Sequence, residues 1–511
     1  MAFSTVTSAI MQGLHVELVH VEADVSNGLP MFHMVGYLSS EVKEASERVR
    51  TAIRNSDIQL PAKKTVINLS PATVRKKGAS FDLPIALAVL LAVGELPEGV
   101  LDNVFVIGEL SLDGRLKKVD GILPIVMEAR EQGYHTCILP AANGAEGALV
   151  EDIRIIGAES LREVYDFLTG ECEIEPFRCP KDGCGNPLND DLVDYCDIQG
   201  QEAVKRAAEV AVAGGHNLLF IGPPGSGKSM TARRIATILP PPSKEESMEM
   251  TKIYSVLGLL DKERPLITGR PFRSVHHTTT KAALIGGGAV PSPGEISLAH
   301  GGVLFLDELA EFPRPVLEVL RQPLEERQIR LVRSHGNYVF PANFMLIAAM
   351  NPCPCGNYPD MESCTCTPSQ IKQYLGHISQ PFLDRMDICI EAPRVPYEAL
   401  KGKHPQETSA QIRERVCRAR EIQSERYKGT GVLFNAMLGT KEIQDFCRLG
   451  EEQERLMKKA FTNLGLTART YHKILKVART IADLDGEAHI QVRHLTEAVG
   501  YRTLDKKYWG R

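Results

Sequence analysis

The stretch Ile221-Gly-Pro-Pro-Gly-Ser-Gly-Lys-Ser229 follows the apolar run Asn217-Leu-Leu-Phe220 and precedes a helix-forming segment, Met230 to Ile238. Gly222, Gly227, Lys228 and Ser229 stand at the spacing G-x-x-x-x-G-K-S. A strand, a loop and a helix in that order are the context in which this spacing cradles phosphate. Gly222, Pro223, Pro224, Gly225, Ser226 and Gly227 are expected to curl their backbone around a β-phosphate, helped by the positive end of the helix that follows. Lys228 neutralises β- and γ-oxygens in such a loop, and Ser229 reaches Mg2+. ATP and Mg2+ are therefore the expected cofactors, on a parallel α/β sheet.

Three further apolar strands carry polar groups that complete this reading. Gly302-Val-Leu-Phe-Leu306 runs into Asp307 and Glu308. Beside the phosphate loop, Asp307 is placed to hold Mg2+ through water and Glu308 to polarise an attacking water. Phe344 to Met350 ends at Asn351, and Asp387 to Glu391 follows Phe382-Leu-Asp-Arg385-Met-Asp. Ligands sit at strand tips in a parallel sheet, so Asn351 suits a residue that orients water against a γ-phosphate. Arg385 suits an arginine supplied to a neighbouring subunit's nucleotide.

The chain has 511 residues, enough for about three domains, and 24% of them are charged, with a net charge of -5. No global basic excess advertises nucleic acid, although a ring pore needs only a local basic lining. The longest apolar run, Leu83 to Val93, is too short to span a bilayer, and the N-terminus has no basic leader. A cytoplasmic protein without a membrane partner is expected, with cysteines acting as thiols or metal ligands rather than disulfides.

Residues 1–170 read as a separate α/β unit. It has an extended segment from Gly13 to Val25, helices at Glu41 to Ile53, Leu83 to Val93 and Ile122 to Gln132, and strands at Thr65 to Leu69 and Thr136 to Leu139. Gly78-Ala-Ser80 and Ile107-Gly-Glu-Leu-Ser-Leu-Asp-Gly114, each followed by a helix, resemble the Lon protease domain. That family pairs a serine with a lysine. Ser80 occupies the serine position, but Ile122, Leu123 and Pro124 stand where the lysine is expected, and Lys117 and Lys118 come too early in the chain. A hydroxyl without an adjacent base is a poor nucleophile, so a non-proteolytic domain is the preferred reading over a serine peptidase. Residues 171–190, with Cys172, Cys179 and Cys184 at no clean metal spacing, read as a linker.

The nucleotide motifs resemble the AAA+ superfamily, its magnesium-chelatase-like branch, and within that the YifB/ComM family. The matching stretches are Arg270-Pro-Phe-Arg-Ser-Val-His-His-Thr278, Ala283-Leu-Ile-Gly-Gly-Gly288, Pro293-Gly-Glu-Ile-Ser-Leu-Ala-His300, Leu320-Arg-Gln-Pro-Leu-Glu325 and Asn351-Pro-Cys-Pro-Cys-Gly356. Met386 departs from the Phe or Ile usual there. The resemblance covers nearly the whole chain. It implies an AAA+ core at 191–395 with inserted hairpins, a helical lid at 396–511, and a homo-oligomeric ring, a hexamer. It also implies a DNA motor, a helicase promoting branch migration during recombination of incoming DNA in natural transformation. A remodeller of a protein partner, of the magnesium-chelatase or chaperone type, stays open beside it.

Gln328 to Phe340 alternates apolar and polar residues around Gly336-Asn337, the signature of a hairpin. In the family this hairpin lines the ring pore, where Arg330, Arg333 and His335 would track DNA phosphates; a solvated hairpin is the alternative. Cys353, Cys355, Cys364 and Cys366 suit tetrahedral Zn2+, with reduced thiols or a stress-formed disulfide as alternatives. His276-His277 reads as a loop that hydrogen-bonds backbone or substrate. Helices are expected at Ser409 to Arg426, Thr440 to Arg448, Glu451 to Asn463, Thr467 to Asp485 and Val492 to Tyr501. On the lid the resemblance implies that Arg469 reaches back to the γ-phosphate, with Arg479 a weaker candidate.

Overall fold

The computed structural model describes residues 3–179, 185–188, 193–288, 291–333, 336–397 and 406–510. Its first sheet has seven strands: β1 (Phe3–Gln12), β2 (His15–Ser26), β3 (Met31–Val35), β4 (Lys64–Ser70), β5 (Val104–Val106), β8 (Thr136–Pro140) and β9 (Arg154–Ala158). The two-residue strands β6 (Glu109–Leu110) and β7 (Leu116–Lys117) form a small antiparallel hairpin. The strand order is β3-β4-β2-β1-β5-β8-β9, antiparallel around β2 and parallel from β1 to β9. The extended segment expected from Gly13 to Val25 is β2, paired antiparallel with a strand that the sequence reading does not include. β1 lies before it, and the chain reverses at Gly13 and Leu14. Alternation in β1 separates Val6 and Ile10 from Ala9, so that each side of the sheet buries its own apolar cluster. The helix Asp82–Val93 is buried almost all round and covers one side, while Ile122–Glu131 covers the other.

A second sheet has the order β13-β14-β17-β11-β18, with every neighbouring pair parallel. Its strands are β11 (Leu218–Ile221), β13 (Phe272–Val275), β14 (Val303–Leu306), β17 (Met345–Met350) and β18 (Ile388–Glu391). These are short, wholly or largely apolar runs, as a sheet covered on both faces requires. Leu218 and Phe220 face the helices Glu202–Gly214 and Lys228–Ile238 and the C-terminal helices; Leu219 and Ile221 face the opposite cluster. Two minor pairings complete the strands. β10 (Gly185–Asn186) joins β12 (Leu266–Ile267) in parallel, and β15 (Gln328–Arg333) joins β16 (Gly336–Pro341) in the expected antiparallel hairpin.

The C-terminal helices are Ser409–Arg426, Thr440–Phe446, Glu451–Leu464, Ala468–Leu484 and Val492–Gly500. A further one, Thr503–Trp509, lies beyond those read from the sequence and packs its Leu504 and Tyr508 into the opposite apolar cluster. The remaining C-terminal helices pack on one face of the second sheet and reach the N-terminal ends of its strands. His216, just before β11, bonds Thr480 Oγ1 at 2.8 Å, and Lys473 pairs with Asp387, just before β18, at 2.8 Å.

The two sheets are joined by specific contacts. Ser255, on the helix Lys244–Val256, donates to Glu146 Oε1 and accepts from the amide of Leu123 at 3.3 Å. The position where the Lon resemblance expects a lysine is thus occupied by a buried leucine whose amide docks the second unit. Ser80 Oγ makes no hydrogen bond to any described residue; it lines a cavity with Lys77, Arg75 and Asp120.

Candidate nucleotide site

The phosphate loop begins where β11 ends. Gly222 packs against the carbonyl of Ala392, so close that a Cβ would lie 2.1 Å from that oxygen. Gly227 turns with φ +85, a left-handed conformation that hands the chain into the helix Lys228–Ile238. Gln201 fastens the loop from outside, donating to the carbonyl of Ser226 at 3.2 Å and to that of Pro393. In the sequence its only signal is the Gln-Gly-Gln turn before Glu202.

The side chains converge at the C-terminal end of the sheet. Lys228 Nζ donates to the carbonyls of Gly222 at 2.7 Å and Pro223 at 2.9 Å, and to Asn351 Oδ1 at 3.2 Å. Burial pushes its ammonium down to about 8, with Asp307 opposing. Ser229 Oγ donates to Asp307 Oδ2 at 2.6 Å. The two residues expected at Mg2+ therefore lie together, an oxygen donor set suited to a hard cation. Glu308 follows Asp307 in a left-handed conformation, φ +52, with its side chain 56% exposed.

His277, on the loop after β13, places Nδ1 3.3 Å from Glu308 Oε2. The contact is at ion-pair distance rather than an aligned hydrogen bond, and among the described residues Nδ1 has no other partner. His276 lies against the ring of His277 with 4.0 Å between centroids, and Phe312 meets it edge-on. The sequence reading left these histidines as a hydrogen-bonding loop without naming Glu308. The adjacency of β13 and β14 in the sheet, invisible in one dimension, brings them together.

The cysteines form one cluster. Cys353 Sγ is 3.4 Å from Cys355 Sγ and 3.8 Å from Cys364 Sγ, and the four sulfurs including Cys366 lie within 4.8 Å of one another. Four thiolates at about 2.3 Å from a tetrahedral Zn2+ stand about 3.8 Å apart, so the donor set and spacing fit that ion. The loop rests on the phosphate loop: a Cβ on Gly356 would lie 2.3 Å from Cδ of Pro224.

Arg385 and Arg469 lie elsewhere. The backbone carbonyl of Arg385 accepts from Asn217 Nδ2 at 3.0 Å, at the N-terminal end of β11 and β18. One strand of four residues, roughly 13 Å, separates that end from the phosphate loop. Arg469 shares this location through a bond to Glu325, which also pairs with Arg385 at 2.7 Å. Arg469, expected to reach back to a γ-phosphate, thus lies at the end of the sheet opposite its own chain's phosphate loop. Its helix packs under the sheet, away from the loop's mouth. Arg385 is 7% exposed, its guanidinium donating to Arg321 O, Pro381 O and Glu325. Arg479 is buried in the helical region on Asp483 and the carbonyls of Glu487 and Ala488, and so is structural.

On the hairpin, Ile329, Leu331, Tyr338 and Phe340 are buried, while Arg330, Val332, Arg333 and Val339 are exposed. Its inner face abuts the turn of the first sheet, with Tyr338 and Phe340 against Gly13. Arg330 lies 3.7 Å from Glu326. His335 falls outside the described residues, as does Cys184.

Comparison with known proteins covers nearly the whole chain. Models described as magnesium chelatase, subunit ChlI, match residues 194–400 and 21–143, and the C-terminal model of the same subunit matches 406–502. The chain is 43% identical over 508 residues to competence protein ComM of Haemophilus influenzae, covering 99% of this chain and 98% of that one. It is 43% identical over 507 residues to the protein YifB of Escherichia coli, with the same coverage. A shorter stretch of 189 residues, 31% of this chain and 33% of the other, is 30% identical to Lon protease 2 of Bacillus subtilis. With its parallel nucleotide-binding sheet, Lon-like α/β front end and helical C-terminal region, the chain belongs to the YifB/ComM family of magnesium-chelatase-like AAA+ proteins.

Proposed function

We propose that the protein is an ATPase that assembles into a ring, a hexamer, and couples hydrolysis to DNA remodelling as a helicase promoting branch migration. The observation that carries the ATPase is the convergence of Lys228, Ser229, Asp307 and Asn351 at one sheet end, with Glu308 beside them. In this reading residues 1–170 form a non-proteolytic domain, 171–190 a linker, 191–395 the motor core and 396–511 the helical region.

Lys228 holds the β- and γ-phosphates, and Glu308 accepts the proton of the attacking water as it adds to the γ-phosphorus. Ser229 and Asp307 would hold Mg2+, which neutralises charge on the bridging oxygens. Asn351, already bonded to Lys228, orients the γ-phosphate end. Arg385 and Arg469 act on the nucleotide of a neighbouring subunit, because in their own chain they sit at the far end of the sheet. Cys353, Cys355, Cys364 and Cys366 would hold a structural Zn2+, which would brace the loop that follows Asn351.

The DNA reading draws on the likeness to a competence protein and on the exposed hairpin strip of Arg330, Arg333, Val332 and Val339. Arginines supply contacts to phosphate, and apolar tips supply contacts to sugars and bases. Among the described residues no helix is long and apolar enough to cross a membrane, and a cytoplasmic location is part of the proposal. ATP hydrolysis measured with and without single-stranded and branched DNA tests it. Stimulation by DNA supports the motor; robust hydrolysis indifferent to every DNA transfers the reading to a protein client.

A further inference from the structure

Beneath the second sheet lies a cavity of about 270 Å³ in which Arg385, Arg469, Lys473 and Lys476 face two carboxylates, Glu325 and Asp387. Asp387 is committed: Oδ1 pairs with Lys473 at 2.8 Å, and Oδ2 accepts from the amide of Asn217 at 2.9 Å. Glu325 is the other. A single oxygen, Oε1, accepts from both Arg385 and Arg469, while Oε2 has no hydrogen bond among the described residues. The two arginines differ in their surroundings. Arg385 is buried and spends its donors on Arg321 O, Pro381 O and Glu325, whereas Arg469 is 46% exposed and, among the described residues, its polar partner is Glu325 alone.

We propose that Glu325 is a positioning residue, anchored by the buried Arg385, that holds the guanidinium of Arg469 ready for the γ-phosphate of a neighbouring subunit's ATP. Arg385 supports this arrangement from within the chain, its guanidinium donating to Arg321 O, Pro381 O and Glu325. Among the described residues Arg469 has one polar contact to exchange, and its side chain is 46% exposed. A planar guanidinium pinned at one edge keeps its other donors for phosphate, and a long side chain left unpinned loses that orientation. This rests on the reading that the arginines act between subunits.

Mixed rings separate the two claims. Lys228→Ala chains lack a phosphate-holding lysine but keep their arginines; Arg469→Ala chains keep their nucleotide site. If the arginine acts between subunits, mixing the two inactive chains restores hydrolysis at the Arg469→Ala sites. Absence of any restoration overturns the intersubunit reading itself. Given restoration, Lys228→Ala/Glu325→Gln chains are expected to restore about tenfold less, and Lys228→Ala/Glu325→Asp chains to recover most of it. In uniform rings Glu325→Gln is expected to lower kcat about tenfold while the KM for ATP stays within about twofold, because the phosphate loop is untouched. Full restoration by the Glu325→Gln double variant, or an unchanged kcat in uniform rings, overturns the positioning role and leaves the intersubunit reading standing.

Discussion

His277 Nδ1 lies 3.3 Å from Glu308 Oε2, and it is the described side chain that contacts the carboxylate expected to activate water. Glu308 is exposed and stands in a left-handed turn, so little else fixes its direction. Removing the ring should leave ATP binding intact and slow the chemical step. His277→Ala is expected to lower kcat roughly tenfold, with ATP affinity unchanged, and His277→Asn to recover part of the loss. Single-turnover hydrolysis and nucleotide titration measure the two quantities separately; equal loss of both would place His277 in binding instead.

The cysteine cluster touches the phosphate loop through Gly356 and Pro224. One Zn2+ per chain is expected by elemental analysis. Cys364→Ser should lose that metal, and with it about tenfold in ATP affinity, as the loop behind Pro224 and Asn351 loosens. A metal-free protein of full ATP affinity would show that the four thiols pack without an ion.

His216 ties the core to the C-terminal helices through Thr480. Burial holds its imidazole at about 4, against an ordinary value of 6.5. Between those values the unfolded chain binds a proton that the folded chain refuses. Stability is therefore complete above about pH 6.5 and is lost as pH falls toward 4, by about 2 kcal/mol between pH 7 and pH 5. Denaturant unfolding of the wild type and of His216→Gln across that range measures it; the variant should lose this part of the slope.

Arg330 and Arg333 flank the exposed Val332 on the hairpin. Replacing both by alanine should weaken single-stranded DNA binding roughly tenfold and flatten its salt dependence, while hydrolysis without DNA stays near wild type. Fluorescence anisotropy across a salt series measures this. An unchanged salt slope would remove the hairpin from the DNA path.

Much of the nucleotide site is legible in the chain because its parts are local. A glycine loop, an acidic strand end and a strand ending in Asn351 each announce themselves within ten residues, and parallel strands bring their tips together. Glu325 and His277 were not legible as partners. Each contacts a residue far away in sequence, and its own neighbourhood reads as ordinary surface charge or loop. The location of Arg469 is hidden in the sequence for a related reason. Helix periodicity gives the buried face of Ala468–Leu484 but does not say which end of the sheet that face meets. The first strand was missed because β1 mixes Ser and Thr with its apolar residues, and its pairing with β2 becomes visible only through the turn at Gly13 and Leu14.

The most direct test of the account is ATP hydrolysis by the wild type and by Glu308→Gln, each with and without branched DNA. The account predicts a wild type stimulated by DNA and a variant that binds ATP yet turns over about 10²–10⁴-fold more slowly. A variant that hydrolyses ATP like the wild type would contradict the assignment of Glu308, and with it the site built from the phosphate loop outward.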